Sequence, residues 1–422
     1  MRVLFCCVGS HGDIHPYIAV AKALTARGHE AAVVANPYFR TVVEGAGVVF
    51  LPLGAHIDLA EAIQNTPGAM AQFGGSLRLV RNWVVPLLEE HTRSLLSHAK
   101  STRADLIVGH TITFCVPAVC EALGIPYIAS SLAPIGWMNA NDQPAYSALD
   151  RTWPPVTLCK FNLLLGRLMM WHAVDKEVNR VRRALGVSTV REAWYSMTRG
   201  GELNLGLWSP VFRGTHEGDP PTGVICGFPW SDRAPGHEDD MRQVEQFLGE
   251  GEPPLVFTLG TAGVHVAGKF FGAAAEAATL LGRRAMLVAG RKEYVPASLP
   301  PGVRAFTYAP YSQVFPRALV NIHHGGIGTT AQSLRAGRPV LVTPMSHDQF
   351  DNSARLKRLG VGDRINFTRC TSSNLAKSLR HLIEDQAIID GAKTLAPRIA
   401  AEDGAKTAAE AIIAHFDRSQ VF

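Results

Sequence analysis

Apolar residues along this chain gather in short runs, separated by amphipathic stretches and by glycine or proline punctuation. The first run, Val3–Val8, leads into the turn Gly9–Pro16. A helical spacing of Ile18, Val20, Ala21, Ala23 and Leu24 follows and stops at Arg27–Gly28. Ala31–Val34, Val48–Leu51, Asp105–Val108 and Pro126–Ala129 repeat the strand pattern, the last two separated by a helical stretch from Val116 to Leu123. A second series contains Leu255–Leu259, Ala285–Val288, Val320–His323 and Val340–Thr343, and helical segments close the chain from Ser372 to Phe416. Short apolar strands alternating with helices predict parallel sheets covered on both faces. The expected fold class is α/β, with two doubly wound domains at residues 1–220 and 221–400 and a final helix in 401–422 packing back on the first. Ligands of such sheets lie beyond the carboxyl ends of the strands, which puts the site in the cleft between domains.

Residues 55–100 and 132–205 break the alternation. They lean helical and carry large side chains, among them Phe73, Trp83, Trp137 and Trp171, as expected of the walls of an apolar ligand pocket. The longest apolar region, Phe161–Val174, is interrupted by Asn162, Gly166 and Arg167 and is not expected to span a bilayer. The apolar face of the longer segment Phe161–Val181 is assigned to core packing, with peripheral contact to a membrane surface as the alternative.

At 422 residues the chain is long enough for two or three domains. Composition excludes disordered and fibrous classes: 47% of residues are hydrophobic and 18% charged. The net charge of +5 is spread without a basic block, which argues against nucleic acid as a partner. Seven cysteines, none in a C-x-x-C pair, point to a reducing, cytoplasmic compartment, and the opening run is too short for a signal peptide.

The chemistry concentrates in Tyr308-Ala309-Pro310, the turn His323-His324-Gly325-Gly326-Ile327-Gly328-Thr329-Thr330 leading to Gln332, and Asp348-Gln349. A strand entering a glycine-rich turn and then a helix lets backbone N–H groups and the helix dipole meet an anion. No G-x-x-x-x-G-K-[ST] motif is present, so ATP hydrolysis is not expected. His323, ending a strand, points away from His324, so the two do not chelate one ion together. No Asp-x-Asp motif occurs either, and neither a metal nor another cofactor is expected.

This constellation resembles the donor-binding signature of family 1 glycosyltransferases, especially the bacterial branch with rhamnolipid rhamnosyltransferase and the sterol and glycopeptide enzymes. The resemblance covers nearly the whole chain. It implies a GT-B fold of two Rossmann-like domains and a metal-independent hexosyltransferase that inverts the anomeric centre. Carried over to this sequence, it sets Tyr308 and Ala309 against the nucleotide base. Thr261, His324, Gly326, Gly328 and Thr329 then hold the diphosphate, and Asp348 and Gln349 bond the sugar hydroxyls. Where plant members use a Glu for both ribose hydroxyls, this chain has Gln332, a weaker acceptor, which leaves UDP- and dTDP-sugars both open as donors.

Transfer to a hydroxyl needs a group that takes the acceptor's proton. In the family the base lies three residues before the proline of the first turn, here Asp13, and in His-based members an Asp orients it from the place His110 occupies. Capping of the following helix is the competing role for Asp13, and a backbone-satisfied histidine at a strand end is the competing role for His110. His11 and His15 are candidate acceptor contacts beside Phe73, Trp83 and Trp137. A sugar-nucleotide 2-epimerase of the same fold and a non-catalytic sugar-nucleotide-binding protein are the alternatives. Acceptor identity and oligomeric state are not legible.

Overall fold

The computed structural model describes the chain except residues 59–60, 63–64, 67, 69, 72–73, 143, 146–155, 232–237 and 420–422. The continuous apolar runs become the central strands of two sheets, and further strands complete the edges. In the N-terminal domain they are β1 (Arg2–Cys6), β2 (Glu30–Ala35), β3 (Val49–Pro52), β4 (Leu106–His110), β5 (Tyr127–Ser131), β6 (Leu203–Gly206) and β7 (Gly223–Ile225). They form one parallel sheet in the order β3-β2-β1-β4-β5-β6-β7. The C-terminal domain has β8 (Leu255–Thr258), β9 (Ala285–Val288), β10 (Val303–Phe306), β11 (Val320–His323), β12 (Val340–Val342) and β13 (Gly362–Arg364). These are also parallel, in the order β10-β9-β8-β11-β12-β13.

In each sheet the chain reverses its direction of travel next to the first strand, between β1 and β4 and between β8 and β11. At such a switch point the loops diverge and leave a crevice at the carboxyl ends of the strands. The turn after β1, the end of β4, and the turns after β8 and β11 therefore gather the chemistry predicted from sequence.

Five helices matter below. They are α1 (His11–Thr25), α2 (Val156–Ala184), α3 (Ile327–Ala336), α4 (Gln349–Arg358) and α5 (Gly404–Ser419). The expected start of α1 at Pro16 is corrected. Ser10 has an extended N-cap backbone, and Asp13 at the third helical position bonds back to the cap, so the helix begins at His11. Pro16 sits in the second turn, where its missing N–H costs one early backbone bond.

The boundary at residue 220 is corrected as well, because β7 pairs with β6 and carries the N-terminal sheet to Ile225. Helix α5 packs across α1, with Ala408, Ala409 and Ile412 buried in the N-terminal core beside Ile18 and Val20. Strands β6, β7, β10 and β13 escape the sequence pattern, since each has only three or four residues and several are interrupted by glycine or charge.

Candidate active site

Asp13 lies on the first turn of α1, at the mouth of the N-terminal switch point. Its Oδ2 accepts from Ser10 N at 2.6 Å and Ser10 Oγ at 3.0 Å. The carboxylate folds so closely over the turn that a Cβ on Gly9, at φ +149°, would lie 2.3 Å from Oδ2. That leaves Oδ1, which faces His110 Nε2 at 3.6 Å. Asp13 is 30% exposed on its side chain and His110 only 7%, so the carboxylate stands toward the cleft with the imidazole behind it. Burial pushes the His110 pKa down, opposed by Asp13 and the Val8 backbone, which favours a neutral ring. Tyr17 supports this floor, meeting the His110 ring edge-on and sharing a 2.8 Å hydrogen bond with Ser130. The two roles weighed for Asp13 are not exclusive: one oxygen caps the helix and the other faces the histidine.

Across the cleft, His324 follows β11 and is 9% exposed. Its ring lies between two glycines. A Cβ on Gly260 (φ +66°) would meet Cε1 at 2.4 Å, and one on Gly326 would meet Nε2 at 2.4 Å. Burial, reinforced by His347, lowers the His324 pKa to about 4, so the ring is neutral, and its Nδ1 has no partner within the chain. Gly326 is the N-cap of α3 and supplies no side-chain cap, so the first N–H groups of that helix are open to an anion. Gly328 and Thr329 lie in this first turn. Thr261, in the turn after β8, is exposed. Gln332, further along α3, is 7% exposed and its Oε1 has no partner within the chain.

His323 is fully buried and packed. Its Nδ1 accepts from Gly325 N at 3.0 Å, and its ring stacks toward Phe315. The rings of His323 and His324 lie 76° apart with centroids 6.4 Å from each other. Among the described residues no group of three or more His, Cys, Asp or Glu is arranged to hold a metal ion.

Asp348 and Gln349 begin α4. Asp348 Oδ2 accepts from Asn352 Nδ2 at 2.7 Å, and the same amide donates to Gly325 O at 2.9 Å, tying the Asp348 carboxylate to the glycine turn. Burial lifts the Asp348 pKa to about 7, with Asp13 adding to the rise against the Asn352 bond. Gln349 is less available than expected, because its Oε1 accepts from Met345 N at 2.8 Å and Ser346 N at 3.1 Å. Only its amide nitrogen is left for a ligand. Tyr308 is half-buried, whereas the Ala309 methyl is packed into the core beside Phe306 and Val314.

The candidate acceptor residues separate. His11 is half-buried in a nest of rings, 5.1 Å from Phe39, 5.8 Å from Tyr38 and 6.0 Å from His15 between centroids. Burial lowers its pKa to about 4. His15 reaches the interdomain segment at Ser231 Oγ, 3.5 Å away. Trp83 is half-buried and donates to Thr66 Oγ1. Trp137 is a correction. It is 1% exposed, packed edge-to-face on Trp208 at 4.9 Å, and belongs to the core. Phe73 lies outside the described residues.

Several site residues carried no sequence signal. His347 adopts φ 56° and bonds Ser76 Oγ of the N-terminal domain at 2.8 Å. Asp142, in the chain after β5, sits between two arginines. Arg213 Nε lies 2.7 Å and Arg355 Nη2 2.9 Å from its Oδ2, and all three side chains are at most 5% exposed. Arg355 also holds Asp351 at 2.8 Å. This buried network fastens α4, whose first turn carries Asp348, to the N-terminal domain. Spacing alone does not pair residues 213 positions apart. A signal was present for Ser10, a cap residue three before an acid.

Residues 3–135 match the glycosyltransferase family 28 N-terminal domain, and residues 285–414 match the erythromycin biosynthesis protein CIII-like C-terminal domain. The chain is 30% identical over 423 residues to an O-mycaminosyltylonolide 6-deoxyallosyltransferase of Streptomyces fradiae, covering 97% of this chain and 96% of that one. It is 25% identical to sterol 3-beta-glucosyltransferase UGT80B1 of Arabidopsis thaliana, over 98% of this chain and 68% of the relative. Among solved structures, spinosyn rhamnosyltransferase SpnG complexed with thymidine diphosphate matches at TM-score 0.68 and 18% identity, covering 98% of this chain and 100% of that one. The epimerase alternative finds no support in these relatives. Two separate parallel sheets, each with a switch point beside its first strand, and full-length similarity to sugar-transferring enzymes lead to one conclusion: the chain belongs to the family 1 glycosyltransferases of GT-B fold and is a hexosyltransferase.

Proposed function

We propose that the enzyme moves a hexose or deoxyhexose from a thymidine diphosphate sugar onto a hydroxyl of an apolar acceptor, with inversion and without a metal ion. The observation that carries this reading is the pair formed by Asp13 Oδ1 and His110 Nε2, 3.6 Å apart at the cleft, with Asp348 close enough for Asp13 to raise its pKa. In the proposed reaction the acceptor oxygen attacks the anomeric carbon from the face opposite the diphosphate. Its proton passes to Asp13 Oδ1 as the bond from the anomeric carbon to the phosphate oxygen breaks. The electron pair leaves with the diphosphate, whose charge develops against the open N–H groups of α3 and His324. His110 stays neutral behind the carboxylate, which the two Ser10 hydrogen bonds hold in place.

Gln332 supports thymidine over uridine. Its neutral Oε1 has no partner within the chain and offers one acceptor atom, matching the single free hydroxyl of 2′-deoxyribose. The thymidine diphosphate in the similar rhamnosyltransferase structure supports the same choice. The aromatic nest around His11 supports an apolar acceptor.

A thermal-shift screen of dTDP- and UDP-sugars tests the donor, since ligand binding to the native state raises the melting temperature by mass action. The dTDP-sugar is expected to give the larger shift, and a larger shift with the UDP-sugar would overturn the donor choice. Turnover is expected to persist in EDTA. Loss on chelation, restored by magnesium, would overturn the metal-free mechanism.

A further inference from the structure

Helix α2 divides into halves with different surroundings. Val174, Val178 and Val181 in its C-terminal half are buried in the N-terminal core. Its N-terminal half carries seven of the ten exposed large hydrophobic side chains among the described residues. Phe161, Leu164, Leu165 and Leu168 recur at the spacing of one helix face, flanked by Met169 and Trp171, and these six are 43–62% exposed. The core-packing assignment thus holds for the second half and fails for the first. A cluster of this kind on a folded domain marks an interaction surface.

Charge identifies the occupant. The N-terminal half of the helix holds Lys160 and Arg167 and no acidic residue, and the remaining four basic residues, Lys176, Arg180, Arg182 and Arg183, lie in its C-terminal half with Asp175 and Glu177. Lys160, Lys176 and Arg183 are exposed, while Arg167 and Arg182 are paired to Glu192 and Glu121. A second copy of the chain would bring two such basic helices together along one seam, with like charges opposed. An anionic bilayer accepts both the apolar face and the positive charge. No helix among the described residues is long and apolar enough to cross a membrane, so the fitting geometry is a helix lying in the interface.

We propose that the N-terminal half of α2 docks the enzyme on an anionic lipid surface, with Phe161, Leu165 and Met169 inserted and Lys160 among the headgroups. Trp171, amphipathic and 43% exposed, suits the boundary between them. This proposal does not depend on the donor, the acceptor or the base, and its failure would leave those untouched.

The test is co-sedimentation of the full chain with vesicles of phosphatidylcholine alone or with about one third phosphatidylglycerol. The anionic vesicles are expected to bind at least about fivefold more tightly, on the scale of one basic residue near the surface. Lys160→Glu should weaken that binding about fivefold or more, and the triple variant F161S/L165S/M169S should abolish it. All four positions are solvent-exposed, so an unchanged melting temperature and an unchanged nucleotide-induced shift will show that the fold is intact. Equal sedimentation with neutral and anionic vesicles, or none with either, overturns the proposal. So does a stable dimer in light scattering that the triple variant converts to a monomer, because a second copy would then cover the face.

Discussion

Gly260→Ala tests the donor side of the site without touching a residue that bears chemistry. Gly260 sits at φ +66°, where an L-residue costs about 1 kcal/mol, and its new Cβ would lie 2.4 Å from His324 Cε1. Nothing on the backbone at that distance yields, so the imidazole must rotate away. Gly326 borders the other side of the ring so closely that a Cβ there would also lie 2.4 Å from it, so the ring has little room to move aside. A displaced ring loses the proposed hydrogen bond to the diphosphate, worth about 1.5–3 kcal/mol for a charge-assisted bond. Nucleoside diphosphate affinity should therefore fall roughly 10- to 100-fold, since about 1.4 kcal/mol corresponds to tenfold. His324→Ala should produce a similar loss. In the double variant the two losses should not add, because both remove one interaction. Isothermal titration calorimetry with dTDP gives the three affinities, and a thermal melt separates them from global unfolding. Wild-type affinity in a folded Gly260→Ala protein, or fully additive losses in the double variant, would refute the assignment of His324 to the diphosphate.

Burial lifts the Asp348 pKa to about 7, so its proposed role as a sugar ligand predicts pH-dependent sugar binding. A carboxyl raised from its usual range is protonated below pH 7 and becomes the stronger acceptor for a sugar hydroxyl only as pH rises through that value. Affinity for the complete dTDP-sugar relative to dTDP should thus increase between about pH 6 and 8, and Asp348→Asn should flatten the curve. Because Asp13 helps raise that pKa, Asp13→Asn should move the midpoint to lower pH; a flat wild-type curve would count against Asp348 as a sugar ligand. Asp142→Asn leaves Arg213 and Arg355 in the interior with less compensating charge, at a cost of about 3–5 kcal/mol in a denaturant melt. A loss below 1 kcal/mol would show that Asp219 and Asp351 suffice to hold the two arginines.

The fold was legible wherever apolar runs were continuous. β9 lies at the expected residues because Ala285–Val288 is apolar throughout and buried on both faces, and β11 does so with Val320 and Ile322 although Asn321 and His323 between and after them are polar and buried. β13 was not legible, since Gly362-Asp363-Arg364 is a strand only by virtue of pairing with β12. The start of α1 turned on side-chain bonds: Ser10 and Asp13 close a cap that residue-by-residue helix preference does not register. The candidate site was readable where one local motif carries it, as in the turn from His324 to Thr329. It was not readable where distant residues meet, as with Asp142 and Arg355, or where a backbone takes an uncommon conformation, as at His347. Trp137 shows why residue type alone misleads. A tryptophan in a helix-leaning insertion serves a pocket or a core equally well, and only the packing on Trp208 decides.

Asp13 as the base is the central claim, and one variant addresses it. Asp13→Asn retains an oxygen to accept from Ser10 N, so the cap on α1 and the melting temperature should be nearly preserved. It removes the charge from the atom facing His110 and the acceptor hydroxyl. Turnover measured with saturating dTDP-sugar and acceptor, once a productive pair is in hand, should fall by about 10²–10⁴, the usual share of a general base. Affinity for dTDP should stay unchanged, because the residues proposed to hold the nucleotide, Tyr308, His324 and Gln332, lie on the C-terminal domain. Turnover near that of the wild type in a folded Asp13→Asn protein would contradict the account and pass the role of base to His11, His15 or His110.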